Sequence, residues 1–524
     1  MIIRQLFNEG LHHTRQGNQA RAYECWTTLI DQLEPLRKNV ADFELHNAQA
    51  VNLLANAYYN RGVLHNNGGH RTASCRDYDA AIAIREQLRP DPKSNLPNYT
   101  YWLAKNSKHL AELYNNRGIL RHALGDLRGS LADYHVAIKI SERLRPDPTK
   151  NPSGYAAWLA RYGNVLAHAY NNRGLLKRDS GNYSASRRDY DVAIRIGEQL
   201  RPHRTNNPVV YSKWLLREGN ALASAYNNRG LLRTALGDSA GSRRDYDESI
   251  TIRESLRQHL SRQHHANSPV RSQDWLLQYA NELASVYNNR GILRNALGDT
   301  AGACRDYDEA LLIRKDLCAL VIEKHGLEHW LVQYGNDLAR VYSNRGGLRQ
   351  ALADQTGCRD NYLAAKTDYD AAIELRQALC PHLAIAPADY VVWLVQYAND
   401  LAITYSNRGL LQGGLGEFTA ALDDHNMAIA LRLDLRKNTI QRQGYSHWLA
   451  RYGNDLALAY SNRGILRRAM GDSTRLGRYR TRQNFPPPGR ITVPLYRLVL
   501  PSPRGSLSNT MTYALRSTPM PVNC

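Results

Sequence analysis

Phenylalanine is nearly missing from this chain, with 4 residues against 32 tyrosines, so its aromatic positions are filled by a side chain that carries a hydroxyl, and something repeats it. Long apolar runs are missing too. No stretch approaches the roughly 18 residues of a membrane span, and Met1 to His12 carries Arg4 and Glu9 where a secretory leader would be continuously apolar. A soluble cytoplasmic protein without a membrane partner is expected. The seven cysteines, Cys25, Cys75, Cys304, Cys318, Cys358, Cys380 and Cys524, form no CxxC pair and follow no period, which argues against a zinc site or a disulfide framework and for reduced structural thiols. Phosphate loops, GxSxG and HExxH are absent, as are paired carboxylates or a Ser, His and Asp set outside the repeating pattern. A non-enzyme without cofactor or metal is therefore expected. Acids are lacking from Ser473 to Cys524, whose arginines supply eight of the net charge of +20.

What the chain does contain is one phrase, Tyr-Asn-Asn-Arg-Gly, at Tyr114–Gly118, Tyr170–Gly174, Tyr226–Gly230 and Tyr287–Gly291, with variants ending at Gly62, Gly346, Gly409 and Gly464. Successive glycines stand 56, 56, 56, 61, 55, 63 and 55 residues apart. The two long intervals are explained by extra residues around His259 to Gln273 and around Asp354 to Thr367. A degenerate first copy, with Leu6 in place of the tyrosine, places Gly10 in register, so the array is expected to have no other head.

Positions are counted from each glycine. Around Gly174, Leu166, Tyr170 and Leu176 stand at minus eight, minus four and plus two, and Ser186, Tyr190 and Ala193 at plus 12, 16 and 19. Multiples of three and four make helical stripes. Gly-Asp or Gly-Asn at plus seven breaks the first helix, because glycine accepts the left-handed conformation. The small residues at zero, plus 12 and plus 19 let two helices approach, and Leu-Arg-Pro, as at Pro90, Pro146 and Pro202, ends the second.

This spacing of aromatic, glycine, Gly-Asp and a small-aromatic-Ala triplet resembles the tetratricopeptide repeat family over residues 1–472. The resemblance implies an all-α fold, a right-handed α-solenoid of about nine stacked antiparallel helix pairs, the first degenerate and the last incomplete. Its unit of 34 residues is shorter than the one here. A Trp at minus 16 in seven units, from Trp102 and Trp158 to Trp448, is read as a first helix lengthened by two or three turns.

Position minus two is always asparagine: Asn8, Asn60, Asn116, Asn172, Asn228, Asn289, Asn344, Asn407 and Asn462. Most units add one at minus ten, such as Asn220 and Asn281. The resemblance places minus two on the concave groove, where such asparagines hold the backbone of an extended peptide. A carboxamide offers donor and acceptor together, which suits a sequence-tolerant grip on a protein or peptide partner. Selectivity would then come from the variable minus-six series, including Asn56, Glu112, His168, Ser224, Ser285, Arg340, Ile403 and Leu458. The competing reading is that the asparagines bond adjacent repeats and bind nothing.

Arginine recurs at minus one (Arg61, Arg117, Arg173, Arg229, Arg290, Arg345, Arg408, Arg463) and its helical angle points into the packing. A buried guanidinium needs an acid, and Asp-Tyr-Asp in the second helix offers Asp77 and Asp79, Asp189 and Asp191, Asp245 and Asp247, Asp306 and Asp308, Asp368 and Asp370. The Tyr and Trp stripes are read as core. His259, His264 and His265 are read as a solvated loop in the insertion rather than a metal site. A pI near 9.6 raises nucleic-acid binding as an alternative function, but the aromatics sit at core positions and much of the excess charge is in the tail. After Gly471-Asp472 the expected small, aromatic and Ala positions are Leu476, Arg480 and Gln483. Residues 473–524 are thus read as a basic Pro/Ser/Thr-rich tail, disordered or introduced by a frame change.

Overall fold

The computed structural model describes residues 2–38, 47–87, 96–203, 207–264, 269–380 and 387–470. Regular structure among them is helical throughout, and the helices come in antiparallel pairs, one pair to each glycine up to Gly409, with the first helix alone described at Gly464. The expected tail, 473–524, and His265 lie outside the described residues. The chain divides into two compact units, Met1–Leu375 and Arg376–Cys524.

Each hairpin follows from a few local rules. In the Gly118 hairpin the first helix, Leu96–Ala123, is 28 residues long, about 42 Å at 1.5 Å per residue. This bears out the lengthened first helix. It ends at Gly125, whose φ of 84° only glycine adopts without strain. Asp126 then caps the second helix, Leu127–Glu142, by accepting from Gly129 N at 2.9 Å. The Gly-Asp step therefore both stops one helix and starts the next. Gly118 itself faces the second helix so closely that a Cβ there would lie 2.7 Å from the Tyr134 ring. Across the same contact Ser130 Oγ donates to Gly118 O at 2.8 Å. Gly62 with Tyr78 and Ser74, Gly174 with Tyr190 and Ser186, and Gly230 with Tyr246 and Ser242 repeat the arrangement.

In unit 1–375 each second helix packs on the first helix of the following hairpin, and first helices also touch one another. The Glu282 carboxylate influences His168, and Lys108 influences Glu218, each from two hairpins away. The first helices of this unit thus lie side by side as one layer. The core lies between hairpins, where Trp158, Leu166 and Ala169 meet Ala137 and Ile138.

Insertions leave the unit intact. In the Gly346 hairpin the first helix runs on to Thr356 and is closed by Gly357 at φ 67°, and the second starts at Arg359. The added residues thus lengthen both helices at the hairpin tip by about one turn each. The insertion at His259 is not the expected loop at its start. The second helix continues as Ser239–His264, so His259 and His264 are helical.

One feature has no counterpart in the repeat's phrase. A single π turn interrupts the first helix at Leu215–Gly219, Leu331–Gly335 and Leu449–Gly453. In those hairpins the buried indole N–H of Trp214, Trp330 and Trp448 lacks a partner. In the uninterrupted helices Trp158 and Trp393 donate to Ser141 O and Arg376 O at 2.9 and 3.3 Å. The extra backbone residue in the turn coincides with loss of that bond.

Candidate functional site on the first-helix face

Two neighbouring residues of the repeated phrase face different surroundings. Arginine at minus one turns into the hairpin, as expected. Arg229 Nε and Nη2 grip both oxygens of Asp245 side-on at 3.0 and 2.6 Å. Its Nη1 reaches Asp191 of the preceding hairpin at 2.8 Å. Arg290 does the same with Asp306 and Asp247, and Arg345 with Asp368 and Asp308. Arg61, Arg173 and Arg408 pair with Asp77, Asp189 and Asp424. The first acid of Asp-Tyr-Asp thus closes its own hairpin, and the second ties it to the next. Arg463 differs, donating to Asn426 Oδ1 at 2.9 Å. Burial works against the charge of Arg229, but the hydrogen bonds and charge of Asp245 and Asp191 outweigh it and raise its pKa. The guanidinium also lies over the minus-four tyrosine, 5.5 Å from the Tyr226 centroid. Tyr226 in turn donates to Glu198 of the preceding hairpin at 2.9 Å.

The asparagines at minus two, Asn60, Asn116, Asn172, Asn228, Asn289, Asn344, Asn407 and Asn462, are all half-buried on first helices. Four of them donate through Nδ2 to the minus-three residue one hairpin back. Asn172 reaches Asn115 at 3.0 Å, Asn228 reaches Asn171 at 3.1 Å, Asn289 reaches Asn227 at 3.0 Å and Asn344 reaches Asn288 at 2.8 Å. Asn116 hydrogen-bonds Tyr59, which holds the same position. The row is therefore a chain of inter-hairpin bonds made through the amide hydrogens, as the competing reading supposed. Among the described residues no donor reaches the carbonyl oxygens of these four carboxamides.

The minus-ten and minus-six rows are occupied more fully, by a set of residues that the sequence reading missed. Second helices carry a buried arginine at plus 23, or its equivalent after the insertion. Arg253 donates to Asn220 Oδ1 and Ser224 Oγ of its own hairpin and to Glu282 of the next at 3.1, 2.8 and 2.9 Å. Arg314 donates to Asn281 Oδ1, Ser285 Oγ and Asp337 O at 3.0, 2.9 and 2.9 Å. Arg376 lies 4.0 Å from Asp400, and Arg432 feels the charge of Asp455. Asn281 and Asn399 further donate to Asp337 and Asp455 at 3.0 and 3.1 Å. Ser224 and Ser285, expected as selectivity positions, are thus acceptors for internal arginines. The signal was in the sequence as an offset pair. Where plus 23 is Arg253, Arg314, Arg376 or Arg432, minus nine of the next hairpin is Glu282, Asp337, Asp400 or Asp455. Where it is Ser141 or Gly197, minus nine is Val165 or Ala221.

The charges at minus six, Glu112 and Arg340, are held locally. Glu112 lies 3.9 Å from Lys108 and 3.3 Å from His109. Arg340 pairs with Asp337. Burial, only partly offset by Glu112 and Glu282, lowers the His168 pKa. Among the described residues no cluster of His, Cys, Asp and Glu could hold a metal ion, and no helix is long and apolar enough to cross a membrane.

Residues 166–201 match the family model described as Tetratricopeptide repeat. No curated protein matches the sequence significantly. Solved structures similar to the chain include BtubC (BKLC) from P. vanneervenii, 18% identical over 58% of this chain and 90% of that one, TM-score 0.38. The apo form of RapI is 10% identical over 73% and 99%, TM-score 0.38. The TPR2AB domain of yeast Sti1, in its pHSP90 complex, is 16% identical over 68% and 99%, TM-score 0.20. The matched segment runs from minus eight to plus 27 of the Gly174 hairpin, and the same positions recur in the other hairpins. Residues 166–201 are thus similar to a tetratricopeptide repeat, and the other hairpins repeat their key positions in long-helix units of about 56 residues.

Proposed function

We propose that the chain is a protein-interaction scaffold whose first-helix face holds an extended peptide or a partner protein, with the minus-two asparagines as its rungs. The observation that carries the reading is the bonding of Asn172, Asn228, Asn289 and Asn344. Each spends an amide hydrogen on the preceding hairpin, and among the described residues no donor takes its half-buried Oδ1. Fixed carboxamides with an open acceptor suit the N–H groups of an extended chain, because little side-chain entropy is left to lose on binding. Both earlier readings of the row are then parts of one role, since the inter-hairpin bond sets the orientation that the grip uses. Residues 1–472 form the binding body in this proposal.

The test compares capture of the partner from the protein's own cell by residues 1–472 with and without Asn228→Ala and Asn289→Ala. The double change is expected to weaken capture about tenfold, one charge-neutral hydrogen bond per rung being worth about 0.5–1.5 kcal/mol, while the helical circular dichroism persists. Capture at wild-type strength removes the asparagines from the binding role.

A further inference from the structure

The plus-23 arginines share a rule with one exception. Arg253 and Arg314 each have Nε on the minus-ten asparagine of their own hairpin and an acid at minus nine of the next. Arg85 occupies the same place in the Gly62 hairpin and is 3% exposed. The residue at minus nine of the following hairpin is His109, not an acid. Its Nη1 and Nη2 donate to neutral oxygens, Asn106 Oδ1 at 3.2 Å and Asn56 Oδ1 at 2.6 Å, and its Nε has no partner. Burial lowers its pKa to about 10, with Glu112 acting only through space in the other direction. Glu112 is itself engaged by Lys108 and His109. Arg432 also leaves Nε unfilled, but Asp455 stands at its minus-nine position.

A buried guanidinium without a carboxylate is costly, and the edge that Arg85 leaves underused is the Nε–Nη2 edge. That edge is the one by which Arg61, Arg229 and Arg290 hold their aspartates in this protein. Among the described residues only Asn56 stands on it, and Asn56 is half-buried at minus six, on the first-helix face beside the asparagine row. We infer that Arg85 is a carboxylate socket for an Asp or Glu side chain of the extended partner. The incoming carboxylate takes Nε and displaces the Asn56 oxygen from Nη2, and the freed Asn56 amide then donates to it. The inference rests on the peptide-holding reading above and gives the partner a chemistry, an acidic side chain over the Gly62 and Gly118 hairpins.

The test uses the full chain and two end-blocked eight-residue peptides, alternating Glu-Gly and alternating Gln-Gly, titrated at equal ionic strength. The glutamate peptide is expected to bind about tenfold more tightly, as a charge-assisted bond of about 1.5–3 kcal/mol allows. Arg85→Met should reduce that preference to less than about twofold without lowering the melting temperature, since a buried unpaired charge is being replaced by an apolar side chain of similar length. His109→Asp, which installs the acid found at the other charged interfaces, should erase the preference and raise the melting temperature. Equal binding of the two peptides by the wild type, or a preference that survives both substitutions, overturns the socket and leaves the asparagine reading standing. If neither peptide binds, the peptide-holding reading falls and the socket with it.

Discussion

Adjacent residues of the same phrase, arginine at minus one and asparagine at minus two, lead opposite lives. The arginine is sealed: Arg229 is held by two carboxylates from two hairpins, stacked on Tyr226 and backed by a second cation, Arg233, which also bonds Asp245 at 2.9 Å. The asparagine is pinned by one neutral bond and half-buried on the first-helix face. One hundred degrees of helix rotation separates the side that specifies the stack from the side available for recognition. The strict period alone does not distinguish them, because both residues recur in nearly every hairpin. What distinguishes them is how many charged groups converge on each, and substitutions should show it.

The largest effect is expected on the sealed side. Asp245→Ala leaves Arg229 and Arg233 facing each other without their shared acid, and should cost about 3–5 kcal/mol, read as a lowered urea midpoint. A nearly wild-type midpoint would mean that the arginine row is not what registers the hairpins.

Acid exposes the sealed side in a second way. His425 stands where six other hairpins place tyrosine and is 1% exposed, and burial, then Arg463 and Arg432, lower its pKa to about 4. The folded pKa lies below the unfolded one, so its contribution is present above pH 6.5 and is lost as pH falls toward 4. The loss should be about 1.4 kcal/mol per pH unit in that window. His425→Tyr should flatten the stability-against-pH curve between pH 6.5 and 4, and an unchanged slope would assign the acid sensitivity to other groups.

Gly230→Ala gives a smaller change, about 1–3 kcal/mol, because the added Cβ would meet the Tyr246 ring at 2.7 Å and a fixed ring cannot yield as a flexible chain end does. Thermal melting of this variant beside Gly413→Ala, where the nearest atom is Leu466 Cδ1 at 3.4 Å, isolates the ring contact. Equal losses would show only a backbone effect of the substitution. Asn228→Ala should cost least, about 1 kcal/mol for the bond to Asn171.

Much of the sealed side was legible in the sequence. The tyrosine that replaces phenylalanine, the glycine beneath it and the Arg with its Asp-Tyr-Asp all recur in one register, and each pair lies within a single hairpin. The bonds from Arg229 to Asp191 and from Arg253 to Glu282 were harder to see, because their partners belong to successive hairpins and their identities vary along the chain. They emerge when plus 23 of one unit is compared with minus nine of the next. The π turn at Leu215–Gly219 had weaker sequence support still. Gly219 marks it, but Gly163 holds the same position within the helix Pro152–Asp179, which is not interrupted. The extension of the second helix to His264 was hidden because an insertion rich in polar residues reads as loop until the helix that carries it is seen.

The most direct measurement is a paired one on Asn228→Ala, Asn289→Ala in the full chain: the melting temperature, and the affinity for the partner captured from the cell. The account predicts a loss of at most a few degrees, two exposed-side bonds being small against the whole stack, together with binding weakened about tenfold. A sharply lowered melting temperature with full affinity would contradict it, and would make these side chains rivets between repeats and nothing more.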